Sequence, residues 1–188
     1  MNYEDKFNDI LDTDETIQWI GVPNRMAFMS GGLLVLAVGI FWGVIDLLFV
    51  FMFFFGSSPG FRDQMELVFF VILMIAHSFP FWGSILYMIW RYYAHGATFY
   101  ACTDKRIMIR SGVLGTDFRI FEYDKINDIQ ININLIEKRY SVGSILFNTA
   151  GLTPNFFIPF DIFGWVKNTR FIGIENPYDV FRQIKKLS

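Results

Sequence analysis

The sequence predicts a membrane protein of α+β class. Two transmembrane helices form a hairpin, and a small antiparallel β-barrel or sandwich with one C-terminal helix follows. Three observations predict this. Hydrophobic residues make up 53% of the 188-residue chain without counting glycine, whereas a soluble domain reaches roughly 45–50% only with glycine included. Two apolar runs each exceed the roughly 20 residues a helix needs to cross a bilayer. From Ala97 the hydrophobic pattern switches to alternation with period two, which marks half-buried strands.

The elements follow in order. Residues 1–25 read as an acidic cytoplasmic arm, with Glu4, Asp5, Asp9, Asp12, Asp14 and Glu15 against Lys6 and Arg25. Residues 26–95 read as the hairpin. Its first span covers about 26–55 and is broken only by Asp46; its second covers about 67–90 and contains His77 and Pro80. The link between them, "GSSPGFRDQME", is short, polar and turn-rich. Lys and Arg near the outer ends of the spans (Arg25, Arg91, Lys105, Arg106, Arg110) outnumber Arg62 in the link. By the positive-inside rule both termini are cytoplasmic. Trp90, Tyr92 and Tyr93 beside Arg91 suit an interfacial aromatic belt.

Residues 96–188 read as the strand-rich domain. "FYACTDKRIMI" is strand, tight turn, strand, and "INDIQININLI" alternates Ile129, Ile131, Ile133 and Leu135 with polar residues. Further strands fit residues 117–123, 143–149 and 169–174, with a seventh in 155–160. The final helix opens at Asn176 and Pro177. Asp179 lies in its first turn, Lys185 and Lys186 in its last, and Val180, Ile184 and Leu187 form one stripe.

Several function classes find no support. One cysteine, Cys102, permits no internal disulfide, and the two histidines lack ligand spacing. There is no phosphate loop, nucleophile with a base, or zinc-protease motif. No catalysis, cofactor or metal is expected. The domain's mild basicity is too small to argue for nucleic acid.

Four stretches together carry a resemblance: "FYACTDKRIMIRSGVLG", "YDKINDIQI", "YSVGSILFNTAG" and "RFIGIENPYDVFRQI". They resemble the bacterial pleckstrin-homology-like domains found in membrane-flanked proteins. The family pattern falls on Tyr100, Thr103, Arg106, Gly112, Gly115, Lys125, Ile126, Asp128, Ile129, Gly143, Ile145, Asn176, Pro177 and Val180. "DETIQWIGVPN" looks like the segment that often precedes the first span, through Glu15, Trp19, Gly21 and Pro23. The resemblance implies a PH-like fold without catalysis, in a multi-pass protein of the bacterial cytoplasmic membrane. It implies no particular ligand, since fold and function separate readily.

Three groups of residues are candidate sites. Lys105, Arg106 and Arg110 either form an anion or headgroup face, or include an Arg106 that braces the Thr103–Asp104 turn. Gly39 and Gly43 form a GxxxG at which another helix can come close. Asp46 shares their face, and a carboxylate in an apolar span needs a partner or an interface. Counted from the cytoplasmic ends of the spans, Asp46 lies about 27 Å deep and His77 about 20 Å deep. Asp46 either meets His77 or snorkels to water at the outer interface. Third, "NFFIPFDIFGW" holds more aromatics than a small core takes. Phe156 with Ile158 or Phe157 is expected inside, and Ile162, Phe163 and Trp165 at the membrane surface or on a neighbouring subunit.

Two functions follow as expectations. One is a membrane-anchored binding or scaffolding module that engages a lipid headgroup, or a membrane or cytosolic protein partner. The other is a homo-oligomeric membrane effector or channel, with hairpins packed through Gly39 and Gly43 and gated by the soluble domain.

Overall fold

The computed structural model describes residues 3–56, 64–149 and 169–187. It divides into two compact units, Met1–Gly31 with Arg91–Ser188, and Gly32–Trp90.

The first unit holds two antiparallel sheets. One has four strands in the order β1 (Ile17–Gly21), β2 (Phe99–Thr103), β3 (Arg106–Ser111), β4 (Asp117–Glu122). The other has three: β5 (Ile126–Asn132), β6 (Val142–Thr149), β7 (Arg170–Glu175). The inner face of the first sheet supplies Tyr100, Cys102, Ile107, Ile109 and Phe121 to the core, and the second supplies Ile145, Phe147, Phe171 and Ile174. Val180 and Ile184 of a C-terminal helix (Pro177–Leu187) complete it.

The sandwich half of the expected architecture stands and the barrel half does not. Among the described residues no strand pairing joins the two sheets, so the barrel is not closed. The N-terminal arm is also more than an arm. β1 pairs with β2, Ile20 opposite Ala101 and Gly21 opposite Tyr100. Ahead of β1, Phe7 is fully buried on the sheet's other face with Phe99, Ala101 and Met108. Both faces of β2 are therefore covered, and all five residues of "FYACT" are buried rather than alternating.

The alternation through "INDIQININLI" also runs past its strand. β5 ends at Asn132, and Asn134 caps a short helix (Leu135–Arg139) whose Glu137 closes a capping box. The pattern Asn-x-x-Glu is the sequence signature of that start. The expected seventh strand over 155–160 lies outside the described residues; β1 is a strand the sequence reading did not include.

A short helix, Arg25–Ser30, opens with Asn24 accepting from the Met26 and Ala27 amides. It ends at Gly31, and the next helix begins at Leu33. In chain order the helices are α1 (Arg25–Ser30), α2 (Leu33–Phe55), α3 (Gln64–His77), α4 (Phe79–Ala97), α5 (Leu135–Arg139) and α6 (Pro177–Leu187). The expected single span from residue 26 is thus two helices. α1 packs beside β7, where Gly173 takes φ of 59° and leaves room for Ala27.

The second unit is apolar outward. α2 is long enough to cross a membrane, and so is the 34-residue run from Gln64 to Ala97 that α3 and α4 share. In each, only 6% of the most hydrophobic window is buried. The core helix of a soluble domain would instead be covered. The run breaks at Ser78, where Pro80 lacks the N–H that would continue the helical ladder.

Candidate functional site

The turn between β2 and β3 is built by Thr103, whose hydroxyl accepts from the Lys105 and Arg106 amides at 3.1 and 3.0 Å. The same hydroxyl donates to Glu15 at 2.6 Å. Arg106 grips both Glu15 oxygens, Nε to Oε1 at 2.9 Å and Nη2 to Oε2 at 2.6 Å, and also donates to the Ile10 carbonyl. Burial alone would push the Glu15 carboxyl up. Hydrogen bonds from Arg106, Thr103 and the Asp12 amide, with the guanidinium charge, outweigh it and hold the group down at about 2. Lys105 pairs with Asp14 at 2.8 Å.

Arg110 is elsewhere. It lies four residues along β3, roughly 13 Å away, with its guanidinium 5.5 Å from the centre of the Phe99 ring. The expected grouping of Lys105, Arg106 and Arg110 as one anion face is therefore corrected: the three do not converge. Arg106 and Lys105 are engaged by the acidic N-terminal residues, which the sequence placed in a separate arm. A clue was present, because Glu15 and Arg106 both belong to motif segments of the resemblance.

In the second unit Asp46 meets His77, Oδ1 to Nδ1 at 2.5 Å. The Trp42 indole donates to the His77 carbonyl at 2.8 Å. That carbonyl is available because the Phe81 amide turns to Ser78 at the helix break. Phe49 meets the imidazole edge-on at 5.8 Å. Asp46 Oδ2 is buried without a hydrogen-bond partner among the described residues. The unequal depths expected for the pair came from starting the first span at residue 26. Measured from Leu33, Asp46 is about 20 Å along α2, and His77 is about 20 Å from Trp90.

Gly39 and Gly43 lie at a helix contact inside the same chain. A methyl group at Gly39 would sit 2.4 Å from Ser84 Cβ, and one at Gly43 2.7 Å from the Phe81 ring. Within the chain this face is taken by α4.

A cleft of about 420 Å³ lies between the end of β1 and the start of α6. Its charged lining residues are Glu175 and Asp179, so it does not suit a phosphate. Ile162, Phe163 and Trp165, with Phe156, Phe157 and Ile158, lie outside the described residues.

Two antiparallel sheets packed with a C-terminal helix are an architecture that suggests a binding or scaffolding module. Family comparison matches residues 31–188 to the bacterial PH domain, and the chain belongs to that family. No curated protein and no solved structure matches it.

Proposed function

We propose that this chain is a membrane-anchored PH-type module that holds its sheet unit at the cytoplasmic membrane face to bind a lipid headgroup or a protein partner. The observation that carries the reading is the outward apolar surface of α2 and of the α3–α4 run, with only 6% of either window buried. An apolar surface of this length suits hydrocarbon around it. The excess of Lys and Arg outside the link puts both termini on the cytoplasmic side. The reading contains no catalytic step.

A reporter fused after Ser188 reads cytoplasmic, and one inserted after Ser57 reads external. Reversed labelling overturns the orientation. A homo-oligomeric effector or channel is the second reading, favoured by the unpartnered Oδ2 of Asp46 within an apolar unit. In that case Asp46→Leu changes conductance in planar bilayers; in an anchor it leaves bilayers silent, as wild type does.

A further inference from the structure

Among the described residues of the first unit the two most exposed aliphatic side chains are Leu114, 91% exposed, and Leu135, 89% exposed. They belong to different sheets, yet the strand registers bring them to the same rim. Phe99 opens β2 directly after α4 and pairs with Arg110 near the end of β3. The β3–β4 turn that carries Leu114 therefore stands beside the last residues of α4. In the other sheet, α5 leads into β6, where Val142 pairs with Glu175 and Gly143 with Ile174. α5 packs beside α1, and α1 is tied to β7 by the Asn24 amide, which donates to the Gly173 carbonyl at 2.8 Å.

α1 and residues 91–97 are themselves bound together. His95 Nε2 contacts the Pro23 carbonyl at 2.9 Å, Arg91 donates to the Phe28 carbonyl, and Arg25 lies over the Tyr92 ring. The two passages of the chain into residues 32–90 thus leave the first unit side by side, flanked by Leu114 and Leu135.

Both leucines are held on fixed backbone. Gly112 takes φ of 115° to close the β3–β4 turn, and the Asn134–Glu137 capping box fixes the start of α5. Neither loop needs a leucine for its own packing at such exposure. Four cations, Arg25, Arg110, Lys138 and Arg139, stand on this rim with exposed Asp117, Glu175 and Asp179, while Glu137 is buried in its cap. At the opposite end of the sheets Lys105, Arg106 and Lys125 are paired with Asp14, Glu15 and Glu122.

We infer that this rim docks on a phospholipid leaflet, with Leu114 and Leu135 inserted at the headgroup–acyl boundary and Arg110 and Arg139 against lipid phosphate. Apolar anchors ringed by cations are the composition that binds anionic interfaces. The inference rests on the reading that residues 33–90 cross a bilayer, which sets a leaflet within reach of the rim.

The test uses the full chain in vesicles of mixed phosphatidylglycerol and phosphatidylethanolamine. Single cysteines replace Leu114, Leu135, Asp124 and Leu47, each labelled with an environment-sensitive fluorophore. Cys102 is fully buried, and burial pushes its thiol up, so it stays unlabelled. Quenching by nitroxide lipids should be at least threefold stronger at positions 114 and 135 than at 124. If 114 and 135 match 124 while 47 is quenched, the bilayer reading stands and the docking is overturned. If 47 is also unquenched, both fall. Intersubunit disulfides through Leu114→Cys, without lipid quenching, would overturn the docking in favour of a contact between copies. A label-free check is hydrogen exchange at the β3–β4 turn and α5, where Leu114→Asp with Leu135→Asp should abolish protection gained on adding anionic lipid. Unchanged protection in that variant also overturns the docking.

Discussion

Glu15→Gln removes the carboxylate from the knot that joins the N-terminal segment to the β2–β3 turn. Glu15 is 8% exposed, and its carboxyl is held at about 2 against an ordinary 4.5. The difference corresponds to roughly 3 kcal/mol of folding free energy whenever the group is ionised. The sign follows from the lowered value: the contribution is complete above about 4.5 and is lost as pH falls towards 2. The substitution also leaves the Arg106 guanidinium without its main partner. Breaking a buried pair costs about 3–5 kcal/mol. Arg106 keeps 18% side-chain exposure and has Asp12 at 3.5 Å, which argues for the lower end. Hydrogen exchange of β2 and β3, followed in the full chain in nanodiscs, reads this directly. At neutral pH, protection should drop by about 100-fold, the equivalent of roughly 3 kcal/mol. Corrected for intrinsic rates, wild-type protection should fall more steeply between pH 5 and 2 than that of the variant, which keeps only the exposed Lys105–Asp14 pair. A change under threefold, or equal pH dependence in both proteins, would refute the reasoning.

Other expectations concern packing. Phe7→Ala should destabilise the first unit by about 3–5 kcal/mol, read by urea denaturation of the full chain, because the ring is fully buried against Phe99 and Met108. A loss below about 1 kcal/mol would show that the N-terminal segment does not cover that face. Gly39→Ile should cost about 1–3 kcal/mol in detergent unfolding by collision with Ser84, without changing oligomer size. A shift in subunit number would return this face to a contact between chains. Asp46→Leu and His77→Leu should each destabilise the hairpin, and the double variant should be less destabilised than the two single effects summed. Strict additivity would mean the pair does not interact.

The strands from 99 onward were legible because each buries one face or carries a turn signal. β1 was not. "IQWIG" is short and follows an acidic stretch that reads as solvated until Arg106 and Lys105 are seen to neutralise it. The helical break at Gly31 was hidden for a similar reason, since both sides of it are apolar and only the Asn24 cap marks the first piece. That one missed boundary displaced Asp46 along its span and left its meeting with His77 undecided. The basic trio failed differently: strand order is written in the sequence, but position along a strand relative to other chain segments is not. Two residues at opposite ends of β3 look like neighbours when only their charge is read.

The central claim is that residues 33–55 and 64–90 lie in a bilayer while the sheet unit stands on its cytoplasmic side. Protease protection in inside-out membrane vesicles tests it most directly. The account predicts that digestion removes both the N-terminal segment and the sheets and leaves a protected fragment whose mass corresponds to residues 32–90. In right-side-out vesicles the only cuts should fall between residues 56 and 64. Complete digestion in inside-out vesicles, or survival of the sheets there with their loss from right-side-out vesicles, would contradict the account.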